Sequence, residues 1–449
     1  VLPLLTQRLG HPARWLATAT LAALAFGACG RTPDPEETFV RGGPSGAGGA
    51  VVGTGGGSAT GGQSFGGSGG TETLIDCGPP PQIEGAFSKR LLLEASARCA
   101  EWHYCSFENA ATILERDVSE WTATPSEDTL VSAQRAWLGA MKTWSQAELY
   151  QFGPAGAKTD SSVGDPYHGQ SYRDRIYYWP GSNRCRVEEQ IASRRYATQG
   201  FEQVFATARG LYAIEYGLFY GGDDHACLPT SSTAETWATL SPAELSERKR
   251  EYADAVSEDV LASIRDLRNL WDPAGGNFRQ KLIDGTGYDK PAIGADQEAL
   301  NVVAWSFVYV ERHIKDWKVG YPAGLTPQAQ VSGFEAPHAG VAVEALRANL
   351  EAARRIFQGC GEGYVGTGFD DWLTAAGHGD LAADIIAAFD GAQAAAAAFP
   401  AFDAASQQQF LALHAAIKPL SDLIKNEFMA GAGSPLNLSL PGGFEGDND

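Results

Sequence analysis

No His-Glu-x-x-His string occurs in this chain, and its eight histidines are scattered along it. That excludes the helical zinc-peptidase motif in which two histidines one turn apart share a metal. Positive charge is also scarce: 34 Lys plus Arg stand against 54 Asp plus Glu, a net charge of −20. Such an acidic surface argues against nucleic acid and anionic headgroups as partners. It favours cations and, most simply, solubility. Alternating strand patterns are nearly absent, with 175–179 the one candidate, so a sheet is not expected. The apolar run over 15–28 is too short to cross a bilayer.

That run follows Arg8, His11 and Arg14 and ends in Phe26-Gly27-Ala28-Cys29. A basic start, a short apolar stretch and small residues give the layout of a secretory signal. Small residues before a cysteine resemble a lipobox, so 1–28 is expected to be a lipoprotein signal peptide and Cys29 the lipidation site. Ordinary secretion with an incidental cysteine is the alternative. The expected location is the cell envelope, with the membrane as a partner through the lipid anchor. Residues 29–72 are dominated by glycine and serine, which cannot bury apolar surface. They read as a flexible tether of about 40 residues with a reach of roughly 35 Å. The string Gly62-Gln63-Ser64-Phe65-Gly66 lies inside it without a flanking strand or helix, so it is not a nucleophile elbow.

Seven cysteines are present: Cys29, Cys77, Cys99, Cys105, Cys185, Cys227 and Cys360. With Cys29 acylated, six remain, an even number suited to three disulfides outside the cytoplasm. Cys99 and Cys105 in one unbroken helix would sit about 9 Å apart, too far to bridge.

From residue 84 onward apolar residues recur at helical spacing. Over 126–150, Leu130, Trp137, Met141 and Trp144 share a face. Ser241-Pro242-Ala243-Glu244 is a capping box with proline at the first helical position, opening a helix with Leu245, Tyr252, Val256, Val260, Leu267 and Trp271 inward. Similar faces run over 296–317, over 343–357 until Gly359, and over 410–428. The fold class is therefore all-α. Helical bundles need about three or four helices each to close a core, so two bundles are expected, over 73–240 and 241–430, with 431–449 a flexible tail. A faint echo between 144–156 and 313–324, each a helix ending in Gly, Pro and Gly, supports two halves.

The segment Gly210-Leu211-Tyr212-Ala213-Ile214-Glu215-Tyr216-Gly217-Leu218-Phe219 carries the most chemistry. Tyr212 and Glu215 are three apart and share a helix face. A carboxylate in so apolar a run needs a partner, a metal or a proton. Arg209 offers a structural ion pair, which is the bland reading. Cys185 and Cys227 bracket this helix, and a disulfide between them would tie the loops on either side. Gly361-Glu362-Gly363-Tyr364-Val365-Gly366 follows a helix and not a strand, so it reads as a loop and not a dinucleotide site.

The 210–219 segment resembles the signature of the imelysin family, also called M75 peptidases: Gly-x-His-x-x-Glu followed by aromatic residues and leucine. The resemblance extends to 148–154 (ELYQFGP), 175–180 (RIYYWP) and 316–324 (DWKVGYPAG). It implies two helical bundles with a cleft between them, an envelope location and a link to iron uptake, in a family called both metallopeptidase and iron-regulated. This chain departs from the signature where Tyr212 replaces the histidine, leaving Glu215 as the one match to the metal pair. Tyrosine and glutamate offer hard oxygen donors, which suit iron better than zinc. The expected function is thus binding linked to iron uptake, in a cleft near Glu215, with iron or an iron-uptake component as partner. The alternatives are a metal-dependent peptidase with Glu215 catalytic, and a helical interaction module without metal.

Overall fold

The computed structural model describes residues 73–157, 169–286, 295–325, 333–430, 433–439 and 441. The expected signal peptide, Cys29 and the glycine-rich tether lie outside these residues. Among the described residues every regular element is helical. The strand candidate at 175–179 is a helical turn, Tyr172–Ile176, followed by extended Tyr177.

Local signals start the first helices. Helix α1 (Lys89–Ala123) begins where the Ser88 hydroxyl accepts the Leu91 N–H. Helix α2 (Glu127–Ala147) begins at a capping box between Ser126 and Thr129. Then come α3 (Arg184–Ser193), α4 (Gly210–Phe219) and α5 (Pro242–Trp271). At the start of α5, Glu244 accepts the Ser241 N–H at 2.9 Å and donates its own N–H to the Ser241 hydroxyl, as the spacing predicts. Helices α1, α2, α4 and α5 form the first bundle: α1 packs on α2 and α5, and α4 packs on the same two. Ser241, expected as the boundary between halves, thus opens a helix whose partners belong to the first bundle. Its inward face, including Val256, Val260 and Leu267, is fully buried.

After α6 (Ala295–Ala304), which packs on α1, the second bundle contains α7 (Val310–Gly320), α8 (Ala342–Gln358), α9 (Gly379–Ala398) and α10 (Gln407–Leu423). Helix α10 packs on α7 and α9, and α8 packs on the same pair. Contacts of α8 with α2 and of α6 with α1 join the bundles, so one core runs through both. The apolar period over 296–317 predicts a single helix. The structure winds it tightly at Trp305–Phe307 and then widely, as a π-helix, along α7. Wide turns shift the side chains that follow them and often mark functional positions. Here α7 carries Lys318, which is buried.

Residues 433–439 correct the expected flexible tail over that stretch. Leu436 and Leu438 alternate into the core. The carbonyls of Leu436 and Asn437 accept from the Gln297 amide at 3.1 and 3.2 Å, and that of Ser439 accepts from the Trp305 indole at 2.7 Å. Among the described residues three disulfides are present: Cys77–Cys105, Cys99–Cys360 and Cys185–Cys227. The last is the pairing expected around α4. Cys99 and Cys105 lie in unbroken α1 and each bridges elsewhere, as the helical spacing requires.

Candidate functional site

Helix α4 can begin where it does because residue 210 is glycine. Its φ is +74°, and a Cβ there would come 2.4 Å from the Ile176 carbonyl oxygen. The helix therefore starts against the backbone of 175–176. The Leu211 carbonyl accepts the Trp137 indole N–H at 2.9 Å, and the Ala208 carbonyl accepts the Tyr252 hydroxyl at 2.7 Å. Anchored in this way, α4 is buried on nearly every side from Gly210 to Leu218.

Glu215 is 0 % exposed. Its Oε1 accepts two backbone N–H groups, from His338 at 2.7 Å and Ala339 at 2.9 Å. Its Oε2 is buried with no hydrogen-bond partner. Burial raises the carboxyl pKa to about 8, against the pull of the two N–H groups and with help from nearby Glu335. Arg209 does not pair with Glu215. It hydrogen-bonds Asp259 of α5 and the Phe201 carbonyl, because it precedes α4 and points to the other side.

His338, one of the scattered histidines, completes the group. Its ring lies 6.3 Å from that of Tyr212, 5.7 Å from Tyr216 and 5.0 Å from Tyr220. Its Nε2 is buried without a partner. Burial, reinforced by Arg184 and Lys249, lowers its pKa to about 4, so the imidazole is neutral and its free nitrogen can accept or ligate. Burial and the neighbouring Glu215 push the Tyr212 hydroxyl above its ordinary range. Toward solvent, Lys249 lies over the Tyr216 and Tyr220 rings at 5.1 Å each, and Arg184 lies 4.2 Å from the Tyr220 ring.

Behind Glu215 is a second buried polar layer. Lys318 Nζ is 2.8 Å from Glu335 and 3.4 Å from Glu148, and it also donates to the Asn349 side-chain oxygen. Arg173 lies 3.7 Å from Glu148, 3.1 Å from Asp174 and donates to the Trp179 carbonyl at 2.9 Å. Burial raises the Glu335 carboxyl despite Lys318. Tyr177 is fully buried, and the three carboxylates add to burial in raising its hydroxyl pKa. Glu148 and Glu335 thus share two buried cations, Lys318 and Arg173, the latter also paired with Asp174, while Glu215 has Glu335 as its charged neighbour. The acid excess leaves at least one buried carboxyl that must hold a proton or a cation.

The four short motifs meet in this one place: Glu148 comes from the first, Tyr177 from the second, Glu215 from the third and Lys318 from the fourth. His338, Glu335 and Arg173 are the residues that spacing alone missed. A signal was present in Phe334-Glu335-Ala336-Pro337-His338, a carboxylate and an imidazole set among apolar residues just before α8. The Cys99, His103 and Cys360 group also sits at ligand distance, but its two sulfurs are joined to each other.

The imelysin (peptidase M75) family model matches residues 102–426. The chain belongs to the imelysin family. Two solved structures share the fold. An imelysin-like protein from Psychrobacter arcticum 273-4 is 16% identical, with a TM-score of 0.54, over 80% of this chain and 99% of that one. A candidate iron-regulated protein A precursor from Parabacteroides distasonis ATCC 8503 is 16% identical, with a TM-score of 0.56, over 77% of this chain and 96% of that one. No curated protein shows significant similarity to the chain. Within the imelysin fold, position 212 is a tyrosine; the segment before α8 brings the His338 backbone N–H to Glu215, while the His338 imidazole packs against Tyr216 and Tyr220.

Proposed function

We propose that this imelysin-family chain is a cell-envelope binding protein linked to iron uptake, tethered through Cys29, that holds ferric iron at Glu215 and His338. The observation that carries the reading is that Glu215 Oε2, and His338 Nε2 on the residue whose backbone N–H binds Glu215 Oε1, are each buried without a partner. A cation there replaces a proton and gives both atoms a partner. Tyr212 adds a phenol whose raised pKa yields only to a strongly acidic metal, which favours ferric iron over zinc. Glu215 is enclosed, so entry passes the segment that carries half-buried His338 and exposed Pro337. The iron-regulated character in the name of the Parabacteroides structure is consistent with this reading.

The family name keeps a metallopeptidase in view. A catalytic zinc site takes about three protein ligands and an open water position. Here one carboxylate and one imidazole are offered, and the other nearby carboxylates are engaged by Lys318 and Arg173. The deciding experiment is cleavage of an unfolded protein substrate by the purified chain with and without chelator. The expected result is no chelator-sensitive cleavage. Cleavage abolished both by chelator and by Glu215→Gln establishes the peptidase. A chain that takes up no metal at all is the helical interaction module.

A further inference from the structure

A cleft lies at the far end of α5. Lys249, beside the Glu215 centre, and Trp271 are separated along this helix by about 33 Å at 1.5 Å per residue. At the Trp271 end, the segment 73–81 crosses α1 and closes a cleft of about 320 Å³. That volume is in the range of small-ligand sites. The segment is pinned at three places. Cys77 is bonded to Cys105. Ile75 and the Asn109 amide exchange two hydrogen bonds, both 2.8 Å. The Gly78 carbonyl accepts the Trp102 indole at 3.1 Å. The cleft wall is therefore fixed before any ligand arrives.

The lining carries both signs of charge at close quarters. Arg98, Arg268 and Arg279 face it together with Asp76, Glu101 and Asp272. Arg268 is engaged by Glu108. The ion pair of Arg98, to Glu94, is 4.0 Å long. Arg279 reaches Glu101 through Nη1 alone, at 3.3 and 3.1 Å, leaving the rest of its fork open. Burial holds the Glu101 carboxyl above its usual range in spite of Arg279. Trp271, 1% exposed and part of the lining, has an indole N–H with no partner.

We propose that this cleft binds a small zwitterion with a free ammonium and a free carboxylate, of the class of an amino acid or dipeptide. Guanidinium forks are donors matched to a carboxylate. Glu101 and Asp272 are acceptors matched to an ammonium. The rings of Trp102 and Pro79 supply apolar wall for the rest of the ligand.

The test is calorimetric titration of the full chain with alanyl-alanine. Saturable binding is expected, weakened at least tenfold by Arg98→Gln and by Glu101→Gln. Arg98 is exposed on α1, so its substitution leaves the fold intact, which circular dichroism checks. The same dipeptide acetylated at one end and amidated at the other is expected not to bind. No binding by the wild type, equal binding of the blocked peptide, equal binding of acetate alone, or an unchanged affinity in Arg98→Gln would each overturn the proposal.

Discussion

Glu215 and His338 hold opposite protonation states for the same reason. Burial disfavours charge, so the carboxyl keeps its proton up to about pH 8 and the imidazole stays neutral down to about pH 4. A cation entering the site must displace the carboxyl proton, so metal affinity is expected to rise with pH up to about 8 and then level off. Titrations at several pH values in the presence of a fixed competitor check this, and a flat profile would contradict it. The metal-free chain should show the opposite trend in stability. The folded pKa of Glu215 lies above its ordinary 4.5, so its contribution is complete below about pH 4.5 and is lost as pH rises through about 8. Melting temperatures in chelator are expected to fall between pH 6 and 9, and to fall less in Glu215→Gln. Equal pH profiles for the two chains would remove Glu215 as the cause.

Among the elements, α4 depends most on one position. Alanine at 210 meets the Ile176 carbonyl at 2.4 Å and is forced to φ +74°, so Gly210→Ala should cost about 1–3 kcal/mol or more and disturb the site. Denaturant unfolding with metal titration measures both, and a variant as stable as wild type would show that the helix start can shift. Leu350, fully buried in α8, is a pure packing residue, and Leu350→Ala is expected to cost about 2–5 kcal/mol. The helices were legible because their apolar faces repeat, and in the case of α5 because its start carries a capping box at Ser241. Glu215 was legible too, since a carboxylate in an apolar run demands an explanation. The π-winding of α7 was not, because the same residues at 310–320 satisfy an ordinary helical period nearly as well. Nor was the role of His338, 123 residues beyond Glu215, which only tertiary packing brings to the carboxylate. Arg209 misled for the converse reason: adjacency in sequence placed it near Glu215, while the direction of its side chain took it to Asp259.

At the scale of the whole molecule, two helical bundles share a core, and polar groups from both converge on Glu215. Lys318 of α7 in the second bundle meets Glu148 at the end of α2 in the first, 3.4 Å away. This pairing ties the site to the junction of the bundles. Outside the described residues, the proposed lipid anchor is tested by Cys29→Ser, which is expected to release the chain from the membrane fraction. A wild-type chain that is already free of membrane and carries no acyl mass would refute the anchor. The central claim is that Glu215 and His338 together hold ferric iron. Its most direct test is iron content after ferric loading and desalting at pH 8, in wild type, Glu215→Gln and His338→Ala. About one iron per chain in wild type, falling at least tenfold in each variant with the helical signal unchanged, is the predicted result. Equal iron in all three, or none in any, would contradict it.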